Sequence, residues 1–149
     1  MIPLAEIERA RNVVEGLAVR TPLVRLDADT DAEIWLKLEL LQPVRSFKLR
    51  GAGNAVLQAS DEELAGGVLT ASAGNMAQGL AYVARRRGVP ATIVVPEHAP
   101  QTKIDAIERY GGRVRRRHPA PRAQRPPHAR DSRHRDTGAL APRGDAGDP

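Results

Sequence analysis

The 149-residue chain has no cysteine, which removes disulfide frameworks, thiolate nucleophiles and cysteine-ligated zinc from consideration. Long apolar runs are missing too, and no uninterrupted stretch approaches the roughly 20 residues that span a bilayer. The N-terminal stretch MIPLAEIERARNVVEG mixes acids and bases where a secretory leader has a basic start and an apolar centre. A soluble cytoplasmic protein with no membrane partner is therefore the expectation. His98 and the histidines beyond it lack metal-ligand spacing, so no metal site is expected, and no Ser/His/Asp arrangement stands out.

Charge is present but unevenly spread. The formal net charge is +5, yet Met1 to Gly112 carries 13 basic and 14 acidic residues, whereas Arg113 to Pro149 carries 10 Arg and 4 Asp. The basic character thus belongs to the last 37 residues. That stretch has six prolines and almost no large apolar side chains, so it cannot bury a core, and residues 113–149 are expected to be a disordered tail. Its Arg/Pro/Ala/His/Gly/Asp composition is what a GC-rich reading frame yields out of register, which points to a frameshift or a truncated gene. A natural basic linker and a nucleic-acid-binding arm are the alternatives. The latter ranks low because the tail has no aromatic residue to stack on bases, and no nucleic-acid partner is expected.

Residues 1–112 read as alternating elements. Leu4, Ile7, Ala10, Val13, Val14 and Leu17 recur at three- and four-residue intervals, an amphipathic helix with Pro3 in its first turn and Gly16 near its end. Thr21-Pro22-Leu23 reads as extended, and Ile34, Leu36 and Leu38 alternate as in a half-buried strand. Ser46 is a suitable N-cap for a helix running to Ser60, in which Gly51 and Gly53 mark a packing or ligand-approach face. Val68–Ala71 reads as a short buried strand, followed by SAGN, a helix to Arg87 closed by Gly88, a buried strand at Ala91–Val95, a helix from Gln101 to Tyr110 and the onset of another strand. Repeated β-α-β units demand parallel strands and predict helices on both faces of the sheet. The fold class expected is α/β.

Two segments can carry chemistry. An amine becomes a nucleophile near neutral pH when its ammonium form is destabilised by partial burial or nearby positive potential. Lys48, in the first turn of a helix between Phe47 and Leu49 and flanked by Arg45 and Arg50, is placed for both. Taken alone, a helical lysine is most often a solvated surface charge. Ser72 to Gly79, SAGNMAQG, sits at a strand-to-helix junction, where unpaired backbone N–H groups face outward and bind anions such as a carboxylate. Ser72 adds a hydroxyl and Asn75 an amide, although both residue types are also ordinary helix caps.

Five ordered blocks change the odds: TPLVRL from Thr21, WLKLELLQP from Trp35, SFKLRGA from Ser46, LTASAGNMAQGLAYVA from Leu69 and ATIVVPEHAPQTKIDAIERYGG from Ala91. Over Thr21 to Gly112 the chain resembles the pyridoxal-phosphate enzymes of fold type II, in particular their threonine dehydratase and serine racemase branch. The resemblance implies that residues 1–112 are the N-terminal portion of such an enzyme, including most of its small domain. It implies that Lys48 is the covalent anchor of pyridoxal 5'-phosphate and the base at the substrate α-carbon, with Phe47 and Asn75 at the cofactor. Ser72, Ala73, Gly74 and Gln78 would hold the carboxylate of threonine or serine, with Ser72 also counted as catalytic. The chemistry implied is α,β-elimination to a 2-oxo acid and ammonia, impaired in a truncated chain; a racemase of the same branch and a non-catalytic fragment are the alternatives. A homo-oligomer is what the family suggests. Met76 stands where the dehydratase branch usually has histidine, and Arg45 where glycine is usual. The family's glycine-rich phosphate loop and most of its larger domain have no counterpart in the tail.

Overall fold

A computed structural model describes residues 1–117. Its centre is a three-stranded parallel sheet built from β-α-β units. The strands β3 (Val68–Ala71), β4 (Ala91–Pro96) and β5 (Gly112–Arg117) lie in the order β3-β4-β5, with Thr70 opposite Ile93 and Ile93 opposite Val114. Helix α4 (Asn75–Arg87) connects β3 to β4, and α5 (Gln101–Arg109) connects β4 to β5. The parallel α/β architecture expected from the strand–helix alternation is present.

The sheet is covered on one face among the described residues. Ala91, Ile93 and Val95 alternate inward along β4 and are 2%, 0% and 1% exposed, whereas Thr92 and Val94 between them are half-buried. A Cβ added at Gly112 would meet Ile107 of α5, Ala81 of α4 and Ile93 of β4, so both helices converge on the inward face. In register with Thr92, Leu69 on the opposite face is 70% exposed. The expectations of helices on both faces and of a buried β3 are therefore corrected. A right-handed series that adds each strand beside the last lays its helices on one side, and β3 is left as an edge.

Before the sheet come helix α1 (Leu4–Val13), strands β1 (Leu23–Arg25) and β2 (Trp35–Lys37), and helix α2 (Lys48–Gln58), followed by the short helix α3 (Asp61–Leu64). The apolar stripe of α1 docks only at its C-terminal end. Val14 and Leu17, just past the helix, are buried, while Leu4 and Ile7 are 69% and 55% exposed. Strands β1 and β2 pair antiparallel as a two-stranded ribbon, Val24 opposite Leu36, with every residue exposed, not half-buried as the alternation implied. Period two reports that a strand forms; what covers its apolar face is a separate matter.

The tail boundary expected after Gly112 is also corrected. Gly112 to Arg117 pairs along β4 from Ala91 to Pro96, and main-chain ladder bonds serve for a strand whose side chains are mostly arginine. The expected disorder and reading-frame shift of the remaining tail fall on residues 118–149, outside the described residues.

Candidate functional site

Lys48 is the first residue of α2. The helix begins two residues after Ser46, not at a Ser46 cap, but capping chemistry survives: the Ser46 hydroxyl accepts a hydrogen bond from the Lys48 backbone N–H at 3.2 Å. Leu49, Ala52, Gly53 and Val56 form the buried face of α2, which puts Lys48, Gly51 and Ala55 on the exposed one. The partial burial expected of Lys48 is absent for this reason. Its Nζ lies 4.8 Å from the centre of the Phe47 ring, and Phe47 is itself 57% exposed. The two glycines of this helix separate in role. A Cβ at Gly53 would come within 2.3 Å of Leu17 Cδ2, whereas nothing lies within 4 Å of one at Gly51. Gly53 is a packing glycine, and Gly51 leaves open space beside Lys48.

The second segment follows β3. Ser72 continues the ladder through its N–H, which donates to Val94 O at 3.0 Å, and its Oγ accepts from Gly74 N–H at 3.2 Å. This turn leads into α4, whose N-terminal residue is Asn75 and whose boundary residue Gly74 supplies no side-chain cap. First-turn N–H groups of a helix have no partner within the helix itself, so this end attracts anions. Ser72, Ala73, Gly74 and Gln78 are half-buried and Asn75 is exposed. A hydroxyl that accepts one bond still has its own hydrogen to donate.

Packing of α2 on α4 brings the two segments together. A Cβ at Gly79 would lie 3.4 Å from the carbonyl carbon and oxygen of Lys48 and 3.5 Å from Leu49 N, so the α4 backbone runs directly against that of the lysine. Asn75 stands one turn before Gly79 on the same helix face. Among the described residues the Lys48 side chain makes no hydrogen bond to this turn. What the arrangement can hold is an aldehyde with a polar periphery: a primary amine, an aromatic face, an amide and a hydroxyl lie near an unfilled helix end.

Reading the sequence assigned no role to Thr21, Glu39 or Gln42 and took Arg50 only as like charge beside Lys48; the structure corrects this, because Arg50 is paired with the Glu39 carboxylate in a polar network with Thr21 and Gln42. Glu39, in a short 3-10 turn after β2, accepts from Arg50 Nε at 2.9 Å and from an Arg50 terminal nitrogen at 2.8 Å. It also accepts from Thr21 Oγ1 at 2.6 Å and Gln42 Nε2 at 3.2 Å. Gln42, 2% exposed, clasps Val19 by accepting from its N–H and donating to its carbonyl. Arg50 also reaches Val19 O at 2.9 Å, and the Lys37 ammonium donates to Thr21 O. The Arg50 hydrogen bonds hold the Glu39 carboxyl well below its ordinary range, at about 2, and raise the Arg50 guanidinium in turn. The signal available in the sequence was Gln42, a polar residue that follows Leu40-Leu41 directly before Pro43.

The family described as "Pyridoxal-phosphate dependent enzyme" matches residues 14–142. The chain is 50% identical over 111 residues to the biosynthetic L-threonine dehydratase of Mycobacterium bovis, covering 72% of this chain and 26% of that protein. It is 42% identical over 118 residues to the catabolic L-threonine dehydratase of Staphylococcus aureus, covering 76% and 34%. Among solved structures, maize serine racemase superposes with a TM-score of 0.74 at 33% identity, over 78% of this chain and 36% of the racemase. The chain thus spans about a quarter to a third of the length of the curated relatives it matches. Matched along most of its length, and carrying the parallel sheet and helix arrangement of these structures, the chain belongs to the pyridoxal-phosphate-dependent enzyme family.

Proposed function

We propose that the chain carries the lysine-bearing half of a site that removes the β-hydroxyl of threonine or serine as water and, after hydrolysis, releases a 2-oxo acid and ammonia. The observation that carries this reading is the contact of the Lys48 backbone with Gly79, one helical turn from Asn75 and next to the Ser72 turn. The identity with threonine dehydratases supports the substrate class. Because the chain spans only part of these relatives, the proposal concerns the part of the site built here.

Pyridoxal phosphate fits the residues present. Lys48 supplies the amine for its aldehyde, the exposed Phe47 face an apolar surface for its ring, and the Asn75 amide a donor for a ring oxygen. When bound, the cofactor withdraws electrons from the substrate α-carbon. The chain's own residues orient the substrate and move its α-proton. Lys48 Nζ takes the α-proton, while Ser72 Oγ and the first-turn N–H groups of α4 orient the substrate carboxylate. Likeness to maize serine racemase supports a second reading, in which the same lysine handles the α-proton without loss of the hydroxyl.

The chain has three lysines, Lys37, Lys48 and Lys103. Incubation with millimolar pyridoxal phosphate, borohydride reduction and peptide mapping should label Lys48 in preference to Lys103. Equal labelling of the two would refute the assignment.

A further inference from the structure

We propose that Glu39 is a positioning residue for Lys48, acting through Arg50; the inference rests on the reading of Lys48 as the cofactor anchor. The first turn of α2 has no acidic side chain to complement its positive end, and its boundary residue Phe47 supplies no side-chain cap. Besides the Ser46 hydroxyl on the Lys48 N–H, that turn is tied down by the Arg50 side chain, two residues beyond Lys48. Its planar fork meets the Glu39 carboxylate through Nε at 2.9 Å and a terminal nitrogen at 2.8 Å, and the same terminal nitrogen reaches Val19 O.

Two parallel hydrogen bonds set a direction as well as a distance, so the pair resists rotation of the helix about its own axis. Glu39 is a firm post because Thr21 Oγ1 and Gln42 Nε2 hold it from other sides, and Gln42 is buried and bonded in turn to both backbone groups of Val19. Helix α4 also abuts the Lys48 backbone at Gly79. The lysine backbone is thereby held by the helix bearing Asn75 and, through Arg50, by the Glu39 carboxylate. Releasing the carboxylate side lets the first turn of α2 twist and moves the amine relative to the Ser72 turn.

The test uses the ratio of Lys48 to Lys103 label after condensation with pyridoxal phosphate, with loss of water, and hydride reduction by borohydride. Glu39→Gln keeps the shape but removes the charge and presents a donor to Arg50. The ratio should fall at least about fivefold, well within the ~100-fold that an ångström of misplacement can cost. Glu39→Asp should recover part of it. Arg87→Gln, which breaks the unrelated Arg87–Asp61 ion pair, should leave it unchanged. A wild-type ratio near one would overturn the reading of Lys48 itself. A high wild-type ratio that persists in a folded Glu39→Gln would overturn the positioning role alone. If circular dichroism shows that Glu39→Gln has lost its fold, Arg50→Lys, which keeps the charge without the fork, carries the same expectation. Loss of fold in both variants would mark the network as structural only and overturn the inference.

Discussion

Arg45 is the one non-glycine residue with positive φ among those described, at +55°. It lies three residues before Lys48, at the position where the family resemblance leads one to expect glycine. A side chain with a Cβ in this left-handed region costs roughly 1–2 kcal/mol, and glycine removes that cost while adding about 0.5–1 kcal/mol of unfolded-chain entropy. No compensating contact is lost on replacement. Arg45 is exposed, and the bond formed here is from its backbone N–H to Gln42 O at 2.7 Å, which glycine keeps. Arg45→Gly should therefore stabilise the fold by about 0.5–1 kcal/mol, a rise in melting temperature of about 3 °C for a domain of this size. Urea titration followed by circular dichroism reads this as a higher midpoint with an unchanged slope. Arg45→Val should move the midpoint the other way, because a β-branched residue tolerates positive φ least. A Gly variant no more stable than the parent would mean that the turn into α2 is unstrained and that glycine is preferred there for another reason.

The Glu39 carboxyl is held at about 2 against an ordinary 4.5, so its stabilisation is complete above about pH 4.5 and is lost as pH falls through about 2. The difference corresponds to roughly 3 kcal/mol at full strength. With the Arg50 side chain 36% exposed, solvent screening leaves about 1–2 kcal/mol. Acid titration of stability in parent and Glu39→Gln should show the two converging near pH 2; a gap that stays constant down to that pH would contradict the pairing. Gly67, at φ +79°, has Pro90 O within 2.4 Å of where a Cβ would sit. Gly67→Ala should cost about 2 kcal/mol or more by urea titration, since neither the backbone oxygen nor the left-handed turn can yield cheaply, and a neutral result would contradict the close approach.

Where main-chain geometry and side-chain pattern agree, the fold was legible. The continuous apolar run Ala91–Val95, the terminator Gly88 at φ +78° and the apolar face of α5 with Ile104 and Ile107 all read directly as β-α-β units. Only the onset of strand β5 was legible; its run through Arg113, Arg115, Arg116 and Arg117 was not, because these residues carry no strand pattern and its pairing comes from the β4 backbone. The apolar periodicity of α1 overstated its burial, since a stripe says which side is apolar and nothing about how far a neighbour extends. At the site, Lys48 and SAGN stood out as residue types in suggestive positions. The Glu39–Arg50 pair did not: its partners are eleven residues apart on a turn and a helix, a separation with no local signature.

On the proposed reading, Phe47–Lys48 and Ser72–Gln78 face one ligand. Titrating pyridoxal phosphate into the ¹⁵N-labelled chain and following backbone amide resonances tests it most directly. Amides of Phe47 to Leu49 and of Ser72 to Gln78 should shift together along a single saturation curve. Shifts confined to one of the two segments, or gathered around Lys103 instead, would contradict it.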